Sequence, residues 1–412
     1  MSYEAIIARV HTKPFPNADR LLLGTVKGYQ VIVGIGTNDG ELGIFFPSDG
    51  QLSEQFANAW DLVGYHENGE KKGGYFAKNR RVRAVKLRGE KSDGFWCPLS
   101  YLAPFGDVSG LKEGDKIVEF NGTPICNKYV TPETYVRLRK NRSLHRSETK
   151  MFRMNPDYEQ FRLVYDEIDP INRIIITEKV HGTSHRYGRV LDEKQGLMYR
   201  LKRWFTHTKE YDWAEMSGTR RVIIKDNSRG YYADESFREE ACRPFVGTLH
   251  KGETIYFEIV GYAGDQPIMT PQPTDKLRDK EYKKRYGDLM EYRYGCAPGE
   301  CDVYVYRITL ANEDGYVLEY PWHEVEKRCA QLDVKTVPFL SYSDNDIDLY
   351  AHVDSLVTGP STVDQSHIRE GVVVRVESNT GTDFYKHKSF EFGVLEGYLK
   401  EKDDYVDMEE AS

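Results

Sequence analysis

The stretch Glu178-Lys179-Val180-His181-Gly182-Thr183-Ser184 places a single lysine directly after an apolar run and just before a glycine. The apolar run, Ile174 to Ile176, consists of β-branched residues and predicts a buried strand. Gly182 predicts a turn whose backbone other residues would resist. A lysine at such a place can attack phosphorus if its amine is neutral, and burial beside other cations favours the neutral form. On this stretch alone, a surface lysine after a strand remains the alternative.

Four strand-like runs farther along the chain each carry one or two polar residues among apolar neighbours. In chain order they are Ile255-Tyr256-Phe257-Glu258-Ile259-Val260-Gly261, Val303-Tyr304-Val305-Tyr306-Arg307-Ile308, Arg369-Glu370-Gly371-Val372-Val373-Val374-Arg375 and Phe384-Tyr385-Lys386-His387-Lys388. A charged side chain in an apolar run is costly to bury unless it is paired. The pattern is specific through the order of the runs, because each short motif alone matches by chance.

Together with the lysine stretch, these runs resemble the covalent nucleotidyltransferase superfamily, which contains ATP-dependent RNA ligases, DNA ligases and mRNA capping enzymes. The resemblance covers roughly residues 150 to 390, and the His181-Gly182 pair looks most like the RNA ligase branch that seals nicks within duplexes. It implies an α+β fold whose C-terminal nucleotidyltransferase domain, an ATP-grasp-like ligase domain, consists of antiparallel sheets with helices. Too few residues follow Lys388 to build the barrel that DNA ligases and capping enzymes carry there.

By this resemblance, Lys179 attacks the α-phosphate of ATP and becomes a lysyl phosphoramidate, while Glu178 and Gly182 border the nucleotide. Lys386 and Lys388 are two residues apart, so on a strand both would point to one face and meet the same phosphate. They would also help to keep Lys179 uncharged. A solvated strand face is the alternative for such a pair.

The two glutamates of the runs receive different roles from the resemblance. Glu370 would hold a catalytic Mg²⁺ or Mn²⁺, directly or through water, because these ions take oxygen ligands beside a triphosphate. Glu258 would contact the ribose hydroxyls, and Tyr306 would lie against the adenine. For the glutamates the alternative is an ordinary salt bridge, and for the tyrosine it is core packing.

Four further positions of the resemblance concern phosphates and the joining steps. Arg220 or Arg221 would reach a phosphate or the incoming 5′ end, since a guanidinium is always charged and donates in a fork. His181 would act after the lysine has been adenylylated. Ser184 stands where many relatives carry asparagine, which leaves the hydrogen bonding at that position open.

Residues 1–125 predict a separate all-β domain in front of a nucleotidyltransferase domain over residues 126–412. Short strands are predicted at Tyr3–Val10, Leu21–Val26, Val31–Ile35, Gly43–Phe46 and Val82–Leu87. This spacing suits a small barrel. Two segments, from Pro16 to Leu21 and from Lys86 to Gly94, look like parts of the oligonucleotide-binding (OB) fold that occurs as a tRNA-binding appendage, and such barrels bind nucleic acid on a basic face.

The formal net charge of −8 argues against general polyanion binding, so nucleic acid must meet local basic patches. The residues predicted to bind it are Arg80, Arg81, Arg83, Lys86 and Arg88 in a run from Lys78 to Lys91, and Arg203 beside Trp204. A third basic run extends from Arg137 to Lys150. Solvated faces balanced by acids elsewhere are the alternative.

Neither a membrane-spanning run nor a signal peptide is evident, so we expect a cytoplasmic location, or a nuclear one in a eukaryote. The six cysteines lack paired spacing, which argues against a disulfide framework or zinc ribbon. The sequence therefore predicts an ATP-dependent RNA ligase with a role in RNA repair. Its predicted partners are ATP and RNA or RNA/DNA ends, in a nicked duplex, and a monomeric state is favoured. A nucleic-acid-binding protein with a degenerate nucleotidyltransferase domain and a GTP-dependent guanylyltransferase are the alternatives.

Overall fold

The structure, a computed structural model, describes residues 3–16, 18–48, 50–64, 74–130, 148–194, 199, 204–207, 209–220, 222–224, 236–343 and 348–397. Its two parts are an N-terminal barrel and a C-terminal pair of mixed sheets. Among the described residues, no helix has the length and apolar character needed to cross a membrane.

The N-terminal sheet is antiparallel and nearly closed. Its strands, in spatial order, are Tyr29–Gly34, Leu21–Val26, Ala5–Pro14, Glu41–Pro47 and Gly94–Pro98, with Lys116–Ile117 also paired to Ala5–Pro14. The first and last strands of this order meet where the Asp93 amide donates to the Gln30 carbonyl at 2.7 Å. Ile6 and Ile7 lie in separate apolar clusters on opposite faces of one strand, which explains its continuous apolar run.

Shorter elements complete the N-terminal part. Gly50–Leu52 pairs with Cys126–Lys128, Val85–Leu87 with Glu90–Ser92, and Glu119–Phe120 with Thr123–Pro124. The helix Glu54–Ala59 and the 3₁₀ segment Leu99–Phe105 lie between them in the chain. The strand Leu21–Val26 confirms its prediction residue for residue, whereas the strand predicted to begin at Val82 begins at Val85.

Two sheets form the C-terminal part. The five-stranded sheet has the order Glu159–Gln160, Thr382–Lys388, Gly371–Glu377, Arg173–Glu178 and Phe339–Ser343. The eight-stranded sheet has the order Ile223–Ile224, Tyr211–Thr219, Thr183–Glu193, Glu253–Ala263, Cys301–Ala311 and Val317–Glu319, with Gln266–Pro267 and Lys335–Thr336 attached. A small pair, Gln272–Pro273 with Leu289–Met290, lies apart from both sheets.

The prediction of purely antiparallel sheets is wrong at two places. Glu159–Gln160 runs parallel to Thr382–Lys388, and Lys335–Thr336 runs parallel to Cys301–Ala311. Parallel neighbours need a crossover connection. For the second pair the helix Trp322–Gln331 lies in that connection, so the chain returns to the sheet in the same direction.

The helices of the C-terminal part are Phe161–Val164, Ser236–Cys242, Lys280–Tyr286, Trp322–Gln331, Leu349–Val357 and Phe390–Leu395, with 3₁₀ segments at Tyr165–Glu167, Arg243–Phe245 and Thr274–Lys276. The helix Trp322–Gln331 buries Trp322, Val325 and Cys329, which join the main apolar core. The charged segment from Lys276 to Arg293 forms only one short helix, because Asp279 caps its start and Gly287, at φ 78°, ends it.

The strand Arg173–Glu178 is buried on both faces. Ile175 belongs to the main core, while Ile174 and Ile176 pack into a second cluster beneath the helix Leu349–Val357. Side chains alternate along a strand, so a run of three isoleucines needs apolar partners on both sides. This arrangement holds the end of the strand, and Lys179 after it, at a rigid position.

We expect His185→Gln to make the fold less sensitive to acid. His185 is buried, with Nε2 2.8 Å from Ser217 Oγ and Nδ1 3.3 Å from Arg238 Nη1, and burial followed by the charges of Arg238 and Arg186 lowers its pKa well below 6.5. Below pH 6.5 the unfolded chain binds a proton that the folded chain does not. The free energy of unfolding therefore decreases as the pH is lowered, by up to about 1.4 kcal/mol per pH unit. Glutamine does not titrate, so the variant lacks this loss.

Thermal unfolding between pH 7 and pH 5 measures this effect. The control is His11→Gln, because His11 lies on the surface beside Asp39. A parent and a His185→Gln variant that lose the same unfolding free energy over this interval would contradict the prediction.

Candidate active site

A pocket between the two C-terminal sheets collects most of the residues that the sequence pattern singled out. It is lined by Lys179, Glu178, Glu258, Tyr306, Lys386 and Lys388 of that pattern, together with Ser184 and Arg220. The contributing strands come from both sheets. Runs that are up to 200 residues apart in the sequence therefore meet at one place.

Lys179 extends from the end of the strand Arg173–Glu178. Its backbone amide donates to the Gly371 carbonyl at 3.0 Å, which ties the lysine to the start of the neighbouring strand. Its Nζ lies 3.0 Å from Glu370 Oε2. The ion pair holds the amine inside the pocket, with 23% of the side chain exposed.

Glu370 is the centre of a cluster of positive groups. Besides Lys179, its carboxylate contacts Lys388 Nζ at 2.8 Å and His181 Nδ1 at 3.2 Å. Burial alone would raise the pKa of this carboxyl, but Lys179, Lys388 and His181 lower it well below its usual range. The buried carboxylate is therefore ionised and orients both lysines.

Lys386 lies on the same face as Lys388 and is less well neutralised. Burial lowers its pKa to about 8, helped by the charges of Lys388, Lys179, Lys128 and Arg220. The crowding of cations predicted around Lys179 is thus evident at Lys386. A group of cations this close together is suited to a polyanionic ligand such as a triphosphate.

His181 and Gly182 follow the lysine. The His181 amide donates to Tyr294 Oη at 2.6 Å, and its ring packs edge-on against Tyr292 and Phe392. The predicted reason for Gly182 is wrong, because this residue is not among those with positive φ. A Cβ atom there would lie 2.5 Å from the Ile259 carbonyl oxygen, so glycine is needed for close approach of two backbones.

Glu178 has one satisfied and one unsatisfied carboxylate oxygen. Its Oε2 accepts hydrogen bonds from the amide and hydroxyl of Thr362, at 2.8 and 2.7 Å. Its Oε1 is buried and has no hydrogen-bond partner within the described part of the chain. A buried acceptor of this kind needs a donor, which a bound ligand can supply.

Tyr306 and Glu258 lie together on the eight-stranded sheet side of the pocket. Tyr306 Oη and Ser184 Oγ are 2.9 Å apart, within hydrogen-bonding distance of each other. This contact does not test the hydrogen bonding of Ser184 to a nucleotide or a 5′ phosphate, which the sequence left open. Burial raises the pKa of Glu258 to about 8, with Lys179 opposing and Glu370 adding to the rise. Among the described residues no cation forms an ion pair with Glu258, which argues against the alternative of an ordinary salt bridge.

The arginine positions are only partly described. Arg220 lines the pocket and forms an ion pair with Asp157. Arg221 and Arg203 lie outside the described residues, as does the side chain of Lys86. Their roles stay predictions.

In the predicted basic patch of the barrel, Arg80 Nε donates to the Leu52 carbonyl at 3.2 Å, and Arg81 stacks on the Tyr129 ring at 4.5 Å. Arg83 is half-buried and Arg88 is exposed. Lys91, from the same basic run, lies 3.8 Å from the centre of the Phe390 ring and so faces the C-terminal part. Nucleic-acid binding by the arginines stays a prediction.

Sequence reasoning missed the residues at the other end of the pocket. Arg375 and Trp322 line it and are almost fully buried, yet Arg375 Nη1 and Trp322 Nε1 have no hydrogen-bond partner among the residues that the structure describes. Phe384 lies beneath the Arg375 guanidinium and stacks on Tyr158. Strand alternation from Val373 to Arg375 was the available signal, but nothing in the sequence marked which face was the pocket.

These features fit a nucleotide. Two buried donors and one buried acceptor match the edge of a nucleobase, which carries both acceptors and donors. The lysines match the phosphates of the nucleotide. For a metal, no cluster of three or more His, Cys, Asp or Glu side chains suited to it occurs in the part of the chain that the structure describes. A metal ion here would therefore draw ligands from phosphate and water beside one or two carboxylates, as Mg²⁺ commonly does.

Comparison with known proteins supports the same interpretation. A family model described as RNA ligase matches residues 172–390, which is more than half of the chain. A search of curated protein sequences finds no match.

Solved structures of the Naegleria gruberi RNA ligase share the fold over nearly the whole length. A variant without ligand has a TM-score of 0.63 at 16% identity, covering 96% of this chain and 99% of that one. The complex with pyrophosphate also has a TM-score of 0.63 at 16% identity, covering 94% and 97%. A variant with ATP and manganese has a TM-score of 0.60 at 16% identity, covering 97% and 99%.

Proposed function

We propose that this chain, which belongs to the RNA ligase family, joins 3′-hydroxyl and 5′-phosphate ends of RNA at the expense of ATP. Membership of the family makes the chain an RNA ligase enzyme, and the proposal adds its nucleotide, its intermediates and its substrate. The main observation in favour of the proposal is the contact of one buried carboxylate, Glu370, with both Lys179 and Lys388.

In the first step, the Lys179 ammonium, which Glu370 Oε2 holds at 3.0 Å, releases a proton to solvent. The nitrogen lone pair then attacks the α-phosphorus of ATP, and the bond from this phosphorus to the oxygen that bridges to the β-phosphate breaks. Pyrophosphate leaves with that electron pair. Lys386 and Lys388, which share one strand face, bind the negative charge of the pyrophosphate.

In the second step, an oxygen of the RNA 5′-phosphate attacks the phosphorus of lysyl-AMP, and the phosphorus–nitrogen bond breaks. Lys179 recovers its proton and its ion pair with Glu370. In the third step, the 3′-hydroxyl oxygen attacks the phosphorus of the adenylylated 5′-phosphate, and the bond from this phosphorus to the AMP oxygen breaks. AMP leaves with that electron pair, and the hydroxyl proton passes to solvent. The contact of His181 Nδ1 with Glu370 at 3.2 Å supports a role for this histidine in the joining steps.

The nucleotide would lie with its base toward Arg375 and Trp322. Their unpaired donors face acceptors of a purine ring, and Glu178 Oε1 accepts from an exocyclic amine. Tyr306 would pack on the base and Glu258 on the ribose. A magnesium or manganese ion at Glu370 would neutralise phosphate charge when bound.

The presence of the barrel favours an RNA substrate, by analogy with oligonucleotide-binding barrels. We assign it an OB fold, and we expect its Arg80–Arg88 region to bind the ends of a nicked duplex. Naegleria gruberi RNA ligase structures contain ATP or AMP with manganese, which favours the same ligands here. A repair role in the cytoplasm, or in the nucleus of a eukaryote, completes the proposal.

Incubation with magnesium and α-labelled ATP or GTP, followed by sealing assays on nicked RNA, RNA/DNA and DNA duplexes, tests it. We expect label from ATP on the protein and sealing that requires RNA on the 3′ side of the nick, since the 2′-hydroxyl distinguishes RNA from DNA. Label from GTP alone would favour guanylyl transfer. Absence of label in protein shown by mass to be free of AMP would reject a lysyl-AMP enzyme, and with it the role given to Lys179.

A further inference from the structure

The strand that carries Lys386 and Lys388 is thinly supported at its catalytic end. Its neighbour Glu159–Gln160 pairs only with Tyr385 and Lys386, so at His387 and Lys388 the ladder continues on one side alone. Strand ends with a single partner deform more easily than central ones. Something else must hold these lysines toward Glu370.

His387 lies between the two lysines and points to the opposite face, where it is buried. Its Nε2 is 3.1 Å from Asp354 Oδ1 and 3.4 Å from Arg162 Nε. A protonated Nε2 donates to Asp354, and a bare Nε2 accepts from Arg162. Either tautomer anchors His387, and anchoring His387 fixes the direction of its two neighbours.

Arg162 is in turn held by the barrel. Its Nη1 lies 2.6 Å from Asp93 Oδ2, with the two side chains 22% and 15% exposed. Its guanidinium carbon is 5.3 Å from the Tyr29 ring centre, and its carbonyl accepts from the Gly28 amide at 3.0 Å. The Gly28 carbonyl accepts from Tyr350 Oη at 2.9 Å, which closes the contact from the other side.

Charges around this junction bring the two parts of the chain together. Lys27 pairs with Asp166 and Glu167 at 3.0 and 3.2 Å, and Lys116 pairs with Glu159 at 2.7 Å. The Lys27 side chain is only 14% exposed, whereas Asp166 and Glu167 are 44% and 64% exposed. In these pairs the barrel contributes the cations and the C-terminal part contributes the acids. In the Asp93–Arg162 pair the acid comes from the barrel and the cation from the C-terminal part.

We propose that this junction of Gly28, Asp93, Arg162 and His387, hereafter the clasp, positions Lys386 and Lys388 for nucleotide chemistry. The barrel then serves the attack on ATP itself, in addition to any contact with RNA. Arg162 and His387 are positioning residues, since they act through the lysines. The inference rests on the proposed function, because it concerns the rate of adenylylation.

Gly28 offers a sharp test. A Cβ atom at this position would lie 2.7 Å from the Tyr350 ring and 3.1 Å from Arg162 Cβ, so Gly28→Ala wedges the barrel away from Arg162. The matched control is Gly34→Ala in the same hairpin, where a Cβ atom meets nothing within 4 Å. Neither glycine has a positive φ, so both substitutions are free of backbone strain.

The readout is the single-turnover rate of protein–AMP formation from saturating ATP without RNA. We expect Gly28→Ala to slow it at least about tenfold, since displacements near 1 Å cost up to about 100-fold. Gly34→Ala should match the parent, and the apparent affinity for ATP should change less than the rate. Circular dichroism and thermal unfolding verify that each variant is folded at the assay temperature.

A charge exchange keeps the inference testable if Gly28→Ala fails to fold. Asp93→Arg alone should slow adenylylation, and Asp93→Arg with Arg162→Asp should recover part of the rate. Normal adenylylation in the Gly28→Ala and Asp93→Arg variants, with reduced sealing only, would show that the barrel acts solely on RNA and would overturn the clasp. Equal slowing by Gly28→Ala and Gly34→Ala would also overturn it.

The parent protein separates this failure from that of the proposed function. A parent that forms no AMP adduct rejects the lysyl-AMP enzyme and the clasp together. A parent that forms the adduct, with both glycine variants equally fast, rejects the clasp alone.

Discussion

Lys179→Ala is expected to abolish formation of the covalent protein–AMP adduct, with a loss of about 10³-fold or more. The reason is that the adduct is a bond to Lys179 Nζ, which lies 3.0 Å from Glu370 inside the pocket. The change removes the nucleophile while leaving the backbone hydrogen bond to Gly371 intact. Denaturing electrophoresis after incubation with α-labelled ATP and magnesium measures it.

Lys194→Ala is the matched control for this experiment. Lys194 follows the next strand of the chain and pairs with Glu210 and Asp212 near the surface. We expect it to keep full labelling. If Lys179→Ala retained the label, another residue would carry the nucleotide and the mechanism proposed above would be wrong. A variant of Lys179 that still joined pre-adenylylated RNA would be consistent with the mechanism, because the third step needs no free lysine.

Glu370→Gln is expected to lower the adenylylation rate by about 100-fold, the second largest effect. The substitution keeps the size of the side chain but removes the negative charge that contacts Lys179, Lys388 and His181. Breaking one partner out of a buried ionic group typically costs about 3 to 5 kcal/mol, here shared between stability and catalysis. Single-turnover labelling gives the rate, and thermal unfolding gives the loss of stability.

Glu281→Gln provides the comparison, since Glu281 forms an exposed pair with Lys284 on a surface helix. We expect no change in rate or stability there. Glu370→Asp should fall between the parent and Glu370→Gln, because it retains the charge and shortens its reach. If the Glu370→Gln protein were as active as the parent, neither the ion pairs of Glu370 nor its proposed metal role would be needed for the mechanism.

The local features of the site could be predicted because they depend on neighbours in the chain. Three isoleucines before Glu178 predicted a buried strand, and burial on both faces confirms it. The two-residue spacing of Lys386 and Lys388 predicted one shared face, and both line the pocket. These properties follow from the period of a strand and from apolar burial.

Other features depended on contacts between distant segments. The close approach of Gly182 to the Ile259 carbonyl, which replaces the predicted turn geometry, requires two strands to be side by side. The donors of Arg375 and Trp322 became relevant only when helix and strand lined one pocket. Lys91, which the charge pattern grouped with a nucleic-acid patch, faces Phe390 instead.

The sequence by itself determined the types of residue available for chemistry and the strands that carry them, since side-chain alternation and apolar runs are local properties. Only the tertiary structure decided which charges neutralise one another and which remain unpaired. Glu370 meets Lys179 and Lys388, and Asp93 of the barrel meets Arg162, across separations of 18 to 191 residues. Electrostatic energy depends on distance and burial in space, which neighbours in the chain do not specify.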